Sequence, residues 1–270
     1  MPKVSVNIIT HNRKRLLKKA VLSVLNQTYS DFELIIVDDD STDGTENEVA
    51  NFSDKRIKYK KLEKQNSVSE VRNAALYASS GKYIALLDDD DTWIDKEKLA
   101  KQVEFLDNHP DYVLIGTGAV VINEKGKEKY RFLNPQDDKK IKNNMLSRCL
   151  FINSSTMFRK EIVEKTKGYK NKTYIEDYNF WLDLGKYGKM ANLPIFAIEY
   201  REHQNQQSKN RRKQILDNFK LINEYKNYYP NYLKAKLRVG IKVLIYGYLN
   251  MTWLYQVTAS IKNIRNSTHD

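Results

Sequence analysis

Cysteine is almost absent from this chain, which contains Cys149 alone among its 270 residues. A single thiol excludes a disulfide within the chain, and it excludes zinc sites built from CxxC pairs. The composition fits a reducing compartment, and we interpret Cys149 as a small buried hydrophobic residue and not as a catalytic thiol. Thiol chemistry is therefore not the function that this sequence predicts.

The sequence also has no secretory signal, no internal repeat and no low-complexity tract. Its first residues, MPKVSVNIITHN, pass directly into a strand-like run without the basic segment, apolar segment and cleavage site of a signal peptide. With 41% hydrophobic and 30% charged residues, the chain has the composition of a folded protein with a buried core. We expect one large α/β domain, or one domain with an appendage, located in the cytoplasm.

Positive charge is concentrated near the C-terminus. The chain carries a net charge of +12, and residues 209–270 hold 12 Lys and Arg against 3 Asp and Glu, together with nine of the 30 aromatic residues. A basic segment of this kind favours an anionic partner, either a membrane surface or nucleic acid. Because no nucleic-acid recognition motif is present, we expect no nucleic-acid partner.

The same segment has features of a membrane-binding helix. Tyr and Trp interleaved with Lys and Arg are typical of an amphipathic helix that lies on a membrane surface. Residues 239–261 approach the length of about 20 residues that spans a bilayer, but polar residues and two glycines dilute this stretch. Peripheral contact with an anionic membrane, a membrane span, and a soluble helical cap or oligomer interface are the alternatives for residues 209–270.

Apolar periodicity predicts strands that alternate with helices. The predicted strands lie at residues 4–10, 32–37, 57–62, 83–87, 154–158 and 195–201, with a β-hairpin over 113–133. The predicted helices lie at residues 13–27, 43–52, 68–78 and 96–106, with another beginning near residue 176 and more beyond residue 209. Continuous apolar runs such as LIIV and IALL suit strands covered on both faces, so we predict a doubly wound, mostly parallel sheet.

Two acidic clusters, VDDDSTD at residues 37–43 and DDDD at residues 88–91, directly follow predicted strands. In doubly wound sheets, ligands bind just beyond the carboxyl ends of the strands. Adjacent carboxylates repel one another, and Mg²⁺ or Mn²⁺ with a phosphate ligand would neutralise them. A solvated loop that caps the next helix is the alternative. A calcium-binding EF-hand loop is excluded, because Gly44 at its sixth position would place Ala50 where a bidentate Glu is needed.

The same aspartates match a second class of enzyme. The spacing Asp88-x-Asp90-x-Thr92, and the same spacing from Asp38 in the first cluster, match the DxDxT pattern of haloacid-dehalogenase-like phosphatases. In those enzymes one Asp is the nucleophile and Mg²⁺ holds the phosphate. The pattern is short, and this sequence offers no convincing lysine and second acidic motif. A Mg²⁺-dependent phosphatase stays the alternative function.

Five segments, taken in order, resemble the family 2 glycosyltransferases of the A-type fold. These segments are VSVNIITHNR, QTYSDFELIIVDDDSTDGT, VRNAALYASSGKYIALLDDDDTW, EDYNFWLDL and YREHQNQQS, within residues 4–208. The resemblance implies a Rossmann-like, doubly wound, mostly parallel sheet with a C-terminal helical extension. It implies a catalytic domain at residues 1–208, with a nucleotide-sugar half at 1–92 and an acceptor half at 93–208, followed by a basic helical tail at 209–270.

The resemblance also implies a role for particular residues. The nucleotide-binding residues would be Thr10, Asn12, Asp39, Arg72 and Asp88, and the position of Asp39 favours uridine. Asp90 would bind Mn²⁺ or Mg²⁺, His203 would complete the metal site, and Asp177, beside Glu176, would be the catalytic base. His11 stands where the family usually has tyrosine. We interpret Arg13 as part of a solvated helix face that lies near the expected phosphates. Trp93 and Trp181 are interpreted as packing residues at the rim of the site, with sugar stacking as the alternative for Trp181.

The implied reaction is inverting transfer of one sugar from a nucleotide-diphospho-sugar, with UDP-sugars favoured. The acceptor would be a saccharide or lipid-linked saccharide in surface-polysaccharide biosynthesis, such as capsule synthesis, and the QxxRW motif of processive synthases is absent. Negative charge develops on the diphosphate as its bond to the sugar breaks, and a metal ion stabilises it. A carboxylate removes the proton of the attacking hydroxyl. A lipid-linked acceptor implies peripheral contact with the inner face of the cell membrane.

Overall fold

The computed structural model of this chain describes residues 1–170, 174–203 and 211–248. These residues form two compact units, of which the first holds residues 1–141, 149–170 and 176–203. The second holds the remaining described residues, 142–148, 174–175 and 211–248. The predicted boundary at residue 208 lies outside the described residues, and the division at residue 92 stays a prediction.

The first unit is built on one mixed sheet. Its described strands are β1 (Val4–Thr10), β2 (Phe32–Asp39), β3 (Ile57–Leu62), β4 (Tyr83–Leu86), β5 (Thr92–Trp93), β6 (Tyr112–Ile122), β7 (Glu128–Phe132), β8 (Met157–Arg159) and β9 (Lys189–Arg201). The strand order is β3-β2-β1-β4-β8-β6-β9-β5, and β7 pairs with β6 outside this path. β1 pairs in parallel with both β2 and β4, so the N-terminal half has a Rossmann-like arrangement.

Helices lie between these strands along the chain, and two more follow β9 in the second unit. The described helices are α1 (Lys14–Leu25), α2 (Thr45–Ala50), α3 (Val68–Ala78), α4 (Lys98–Asn108), α5 (Asp138–Met145), α6 (Lys160–Thr166), α7 (Glu176–Leu184), α8 (Arg211–Glu224) and α9 (Tyr232–Lys242). The predicted α/β class and the helical extension are confirmed. The β1–β2, β1–β4, β2–β3 and β6–β9 pairs are parallel. The β4–β8, β6–β8, β6–β7 and β5–β9 pairs are antiparallel.

Local sequence explains the elements nearest the candidate site. Apolar residues recur at helical spacing on the side of α1 that faces the core, and Leu17 and Val21 on this side are fully buried. At the start of α3, the hydroxyl of Ser67 accepts a hydrogen bond from the Glu70 backbone N–H. After α3 the chain turns tightly at Gly81, where a Cβ atom would lie 2.6 Å from the Ser5 backbone nitrogen. Only glycine permits that approach, which brings β4 beside β1.

Two predicted elements differ from the structure, and two observed helices were not predicted. The helix predicted at residues 43–52 is confined to α2, since Gly44 adopts the left-handed conformation (φ 84°) immediately before it. The strand predicted at residues 154–158 is a 3₁₀ turn, Asn153–Ser155, followed by the short strand β8. Helices α5 and α6 were not predicted, because their few apolar positions do not establish a helical period.

The second unit contains α8, α9 and a π-helical turn, Val243–Tyr248. Leu221 and Tyr225 at the end of α8 are buried, as are Ala235 and Val239 of α9. Among the described residues, no helix combines the length and the apolar character that a bilayer crossing requires. Most of the candidate span at residues 239–261 lies outside the described residues.

Candidate active site

The carboxyl ends of three parallel strands meet at one edge of the sheet. β1 ends at Thr10, β2 ends at Asp39, and β4 is followed within two residues by the run Asp88 to Asp91, here called the acidic loop. β9 ends at Arg201, whose backbone N–H donates a hydrogen bond to Asp91 at 2.9 Å. The edge predicted from the strand pattern is therefore where the acidic side chains gather.

Burial alternates along the acidic loop. Asp89 and Asp91 are 4% and 2% exposed, whereas Asp88 and Asp90 are partly exposed. Burial raises the pKa of Asp89 to about 7, against the opposing effect of Arg13, and burial also raises the pKa of Asp91. The side chains of Asp89 and Asp91 are therefore buried within the protein, and those of Asp88 and Asp90 are accessible to a ligand.

Interior hydrogen bonds hold the buried pair. The Thr10 hydroxyl donates to Asp89 Oδ2 at 2.8 Å, which ties the end of β1 to the acidic loop. The Ser154 hydroxyl donates to Asp91, and the Asp88 backbone N–H donates to Ser154 Oγ at 3.0 Å. Thr10 therefore lies at the predicted site, but in this structure its hydroxyl is used to position Asp89.

Cationic side chains compensate part of the charge of the acidic loop. One nitrogen of Arg13, Nη1, lies 2.8 Å from Asp89 Oδ1 and 2.9 Å from Asp90 Oδ2. Arg72 Nη2 lies 3.1 Å from Asp88 Oδ1, which also accepts a hydrogen bond from the side-chain amide of Asn153 at 2.7 Å. Arg13 thus lies at the expected phosphate end of the site, and only its interpretation as a solvated side chain is wrong, because it pairs with Asp89 and Asp90.

The two predicted metal-binding residues are brought together. His203 Nε2 lies 2.7 Å from Asp90 Oδ2, although 113 residues separate them in the chain. An imidazole and a carboxylate form a donor set that Mn²⁺ accepts. Among the described residues, no group of three or more His, Cys, Asp and Glu side chains could hold a metal by itself. The donor set fits a metal whose remaining ligands are phosphate oxygens and water.

Asn12 and Asp39 lie where the ends of β1 and β2 meet. Asn12 has a left-handed backbone (φ 52°), and its side-chain oxygen accepts a hydrogen bond from the Thr42 backbone N–H at 2.8 Å. Asp39 accepts a hydrogen bond from the Gln65 backbone N–H at 2.7 Å and pairs with Lys64. Both predicted nucleotide residues therefore also join neighbouring loops at this edge.

A second acidic pair opens α7 and is connected to the acidic loop through Arg72. Glu176 is buried, and its Oε1 lies 3.6 Å from Arg72 Nε. Asp177 is partly exposed. Burial raises the pKa of Asp177 to about 7, the charge of Glu176 raises it further, and Arg72 opposes both effects. Of the two carboxyl groups, Asp177 is the more accessible to a substrate.

The comparison with known proteins decides the family. The sequence model described as "Glycosyl transferase family 2" matches residues 5–167. This chain belongs to glycosyltransferase family 2. The match favours the transferase over the phosphatase alternative, and it covers the acidic loop together with its partners Arg13, Arg72, Asn153 and Ser154.

One curated relative and two solved structures resemble this glycosyltransferase. The Escherichia coli protein WfgD, named UDP-Glc:alpha-D-GlcNAc-diphosphoundecaprenol beta-1,3-glucosyltransferase, is 30% identical over 252 residues, which cover 92% of this chain and 97% of WfgD. S. aureus TarS in complex with UDP-GlcNAc has a TM-score of 0.67 at 19% identity, with 82% of this chain and 64% of TarS covered. The mannosyltransferase PcManGT from Pyrobaculum calidifontis, in complex with GDP-Man and Mn²⁺, has a TM-score of 0.64 at 16% identity, with coverage of 96% and 80%. The structural likeness confirms the A-type fold.

Sequence reasoning missed several residues of the glycosyltransferase's site. Asn153 and Ser154 contact the acidic loop from 65 and 66 residues away, and Arg201 does so from more than 100. A signal was available only for Arg13, because it directly follows the THN motif at the end of β1. Trp181 is fully buried, which agrees with packing and leaves its ring no surface for a sugar.

Arg13 forms an ion pair with Asp90 Oδ2, an oxygen of the carboxylate that is predicted to bind the metal. In Arg13→Gln, we expect Mn²⁺ alone to bind about 5-fold more tightly, because a competing positive charge is removed from Asp90. We expect UDP in saturating Mn²⁺ to bind more weakly, because a cation beside the diphosphate is lost. Titration calorimetry measures both, with Arg15→Gln as a control on the exposed side of α1. Weaker binding of Mn²⁺ alone would show that Arg13 assists the metal instead.

The raised pKa of Asp177 predicts the pH dependence of transfer. A general base must be ionised, so kcat/KM should rise as the pH increases through about 7 and should fall tenfold per pH unit well below it. Initial rates from about pH 5 to pH 9 measure this profile, and Asp177→Glu should move its midpoint. A rate that stays constant down to about pH 5 would contradict the raised pKa.

Proposed function

We propose that this glycosyltransferase transfers one sugar, with inversion, from a UDP-sugar to a lipid-linked saccharide in surface-polysaccharide biosynthesis, with Mn²⁺ or Mg²⁺ as cofactor. The observation that carries the proposal is the meeting of Asp90 and His203 at 2.7 Å. Arg72 pairs with Asp88 beside them and with Glu176, the neighbour of Asp177. A metal-diphosphate site and a separate accessible carboxyl group are the two parts that this reaction needs.

In this proposal, Asp90 and His203 would hold the cation. When bound, the cation stabilises the negative charge that develops on the leaving diphosphate. Arg13 and Arg72 add fixed positive charge at the same edge, and Asn153 and Arg72 orient Asp88. Hydrogen bonds and ion pairs within the protein hold these side chains in place, which limits the reorganisation that the reaction requires.

Asp177 is the proposed base. The acceptor hydroxyl attacks the anomeric carbon, the bond from that carbon to the diphosphate oxygen breaks, and the proton of the hydroxyl passes to Asp177. The nucleoside diphosphate leaves with the electron pair of the broken bond, and a single displacement inverts the anomeric centre. The raised pKa of Asp177 strengthens it as a base near neutral pH.

The donor and acceptor classes are supported by the relative WfgD. Its name assigns it UDP-glucose as donor and a GlcNAc-diphosphoundecaprenol as acceptor, and its alignment covers nearly all of both chains. Asp39, the proposed uracil contact, lies at the end of β2, where its carboxylate accepts a backbone hydrogen bond. TarS and PcManGT were solved with donors of different nucleotides, so the fold by itself does not select UDP.

Thermal stabilisation by nucleotides tests the proposal. UDP, GDP, CMP and ADP are each added with and without Mn²⁺, and UDP with Mn²⁺ should raise the melting temperature most. A ligand at 100 times its Kd stabilises the folded state by about 2.7 kcal/mol. A shift only with GDP would overturn the donor class. If only Mg²⁺ with a phosphate mimic stabilises the protein, the phosphatase alternative would replace the proposed function.

A further inference from the structure

Helix α9 exposes a stripe of large aliphatic side chains. Leu233, Leu237 and Ile241 of α9 are 77%, 68% and 47% exposed, and Leu244, in the π-helical turn that directly follows α9, is 59% exposed. They recur at intervals of three and four residues, which places them along one side of the helix. We call these four residues the α9 stripe.

The α9 stripe is not the side through which α9 packs. Ala235 and Val239 are 2% and 0% exposed, and helical geometry places them about 180° around the axis from the stripe. α9 contacts α8 within the second unit. The helix therefore has one covered apolar side and a second, opposite apolar side that no described residue of the unit covers.

Basic side chains border the stripe. Lys234 and Lys236 are exposed on either side of it, and Arg238 lies next to Lys234 around the helix. Residues 232–248 contain four Lys and Arg and no Asp or Glu. Among the described residues, none of Lys234, Lys236 and Arg238 forms a salt bridge, and the positive charge of Arg238 also acts on Arg148. No carboxylate of the described residues therefore lies within salt-bridge distance of these three side chains.

Charge and size discriminate between three candidates that could cover the α9 stripe, namely a second copy of the chain, residues 249–270 and a lipid surface. A second copy of the chain would place like charges against each other along both borders of the stripe. Residues 249–270 carry two basic residues and one acidic residue, so they add no net negative charge. A helix of 11 residues is about 16 Å long, which is short for the roughly 800 Å² per partner of a stable protein interface. An anionic lipid surface matches both the apolar stripe and its basic borders.

We propose that α9 lies in the surface of an anionic lipid bilayer, with the α9 stripe among the acyl chains and Lys234 and Lys236 at the lipid phosphates. The long Lys side chains can extend from the sides of the helix to the headgroups. This inference deepens the proposed function and rests on it for the reason that a membrane is needed, namely a lipid-linked acceptor. Binding to lipid does not itself require sugar transfer.

Sedimentation with lipid vesicles tests this face in the full chain. Vesicles of phosphatidylglycerol with phosphatidylcholine are compared with vesicles of phosphatidylcholine alone. We expect at least about tenfold tighter binding to the anionic vesicles. Leu233→Gln with Leu237→Gln should weaken that binding at least about tenfold. Leu22→Gln with Ile94→Gln is the matched control, since both residues are 42% exposed in the first unit, and it should leave binding unchanged.

The basic borders are tested separately. Lys234→Gln with Lys236→Gln should weaken binding to anionic vesicles about 5-fold or more and should reduce its dependence on salt. Lys19→Gln with Lys96→Gln removes the same charge from exposed positions of the first unit and should have less effect. This pair of variants separates a local contact at α9 from general attraction between a basic protein and anionic lipid.

Several results would overturn the membrane proposal. These are absence of binding by the unaltered chain, equal binding by the Leu233 and Leu237 variant, or loss of a dimer in that variant with vesicle binding unchanged. The last result would assign the stripe to a second copy of the chain.

The metal-dependent shift in melting temperature with UDP is measured on every variant, so an unfolded protein is recognised. A normal thermal shift with UDP but no vesicle binding would contradict only the membrane proposal. Vesicle binding without a thermal shift by any nucleotide would contradict only the proposed function.

Discussion

Replacing Asp177 with Asn is expected to reduce kcat by about 10³-fold while leaving the affinity for the nucleotide nearly unchanged. The amide has almost the same size as the carboxyl group and can still accept the hydrogen bond from the Tyr178 backbone N–H, which is 2.6 Å from Asp177 Oδ1. It cannot accept the proton of the acceptor hydroxyl. Transfer is measured with donor and acceptor at saturation, and the Kd for UDP is measured by calorimetry.

The neighbouring residue supplies the matched control. Glu176→Gln makes the same chemical change one position away, at a buried carboxyl group that lies beside Arg72 instead of facing substrate. We expect Glu176→Gln to lower stability and nucleotide affinity more than Asp177→Asn, and to lower kcat less. If Asp177→Asn retains normal turnover, Asp177 is not the base, and a larger loss in Glu176→Gln would move that role to Glu176.

Replacing Asp90 with Asn is expected to remove the metal-dependent part of nucleotide binding and to reduce transfer by about 10³-fold or more. Asp90 Oδ2 is the atom on which Arg13 and His203 converge, so the substitution removes the negative charge that attracts a cation to this point. The stabilisation by UDP should become the same with and without Mn²⁺. Thermal shift and initial rate across a series of Mn²⁺ concentrations measure both effects.

A control for this substitution lies in the other acidic cluster. Asp40→Asn changes the same functional group at a partly exposed aspartate whose left-handed backbone (φ 62°) asparagine also adopts readily. Its dependence on Mn²⁺ should match that of the unaltered chain. If Asp90→Asn retains the full Mn²⁺ dependence, Asp90 does not bind the metal. Asp88, which faces the same site, would then be tested in the same way.

The sequence was informative wherever a local pattern determines the structure. The α3 segment, Val68–Ala78, was predicted with its observed bounds, because its apolar residues recur at helical spacing. The edge that carries the candidate site followed from apolar runs that end in acidic residues. Parallel strands bring such ends together, so the position of the acidic loop could be predicted without any side-chain contact.

Other features depend on partners that are distant in the chain. Strands β5 and β8 contain only two and three residues, and pairing with β9 and β4 holds them in place. Such short segments have no measurable period. The ion pairs of Arg13 with the acidic loop were missed for a related reason, since helical spacing places a side chain on a face but does not show what approaches that face. Asn153 and Ser154 belong to a turn whose polar residues resemble those of any loop.

The acidic loop has a consequence for the order in which the protein folds. Its cationic and polar partners come from opposite ends of the first unit, with Arg13 upstream by 76 residues and Arg201 downstream by 110. During synthesis, β1 to β4 can pair as soon as about 90 residues have emerged, while Ser154 and Arg201 are not yet available. Contacts between residues so far apart form late. The nascent N-terminal half therefore carries four closely spaced aspartates with only part of their compensation, and like-charge repulsion destabilises this edge until the second half of the sheet supplies Ser154 and Arg201.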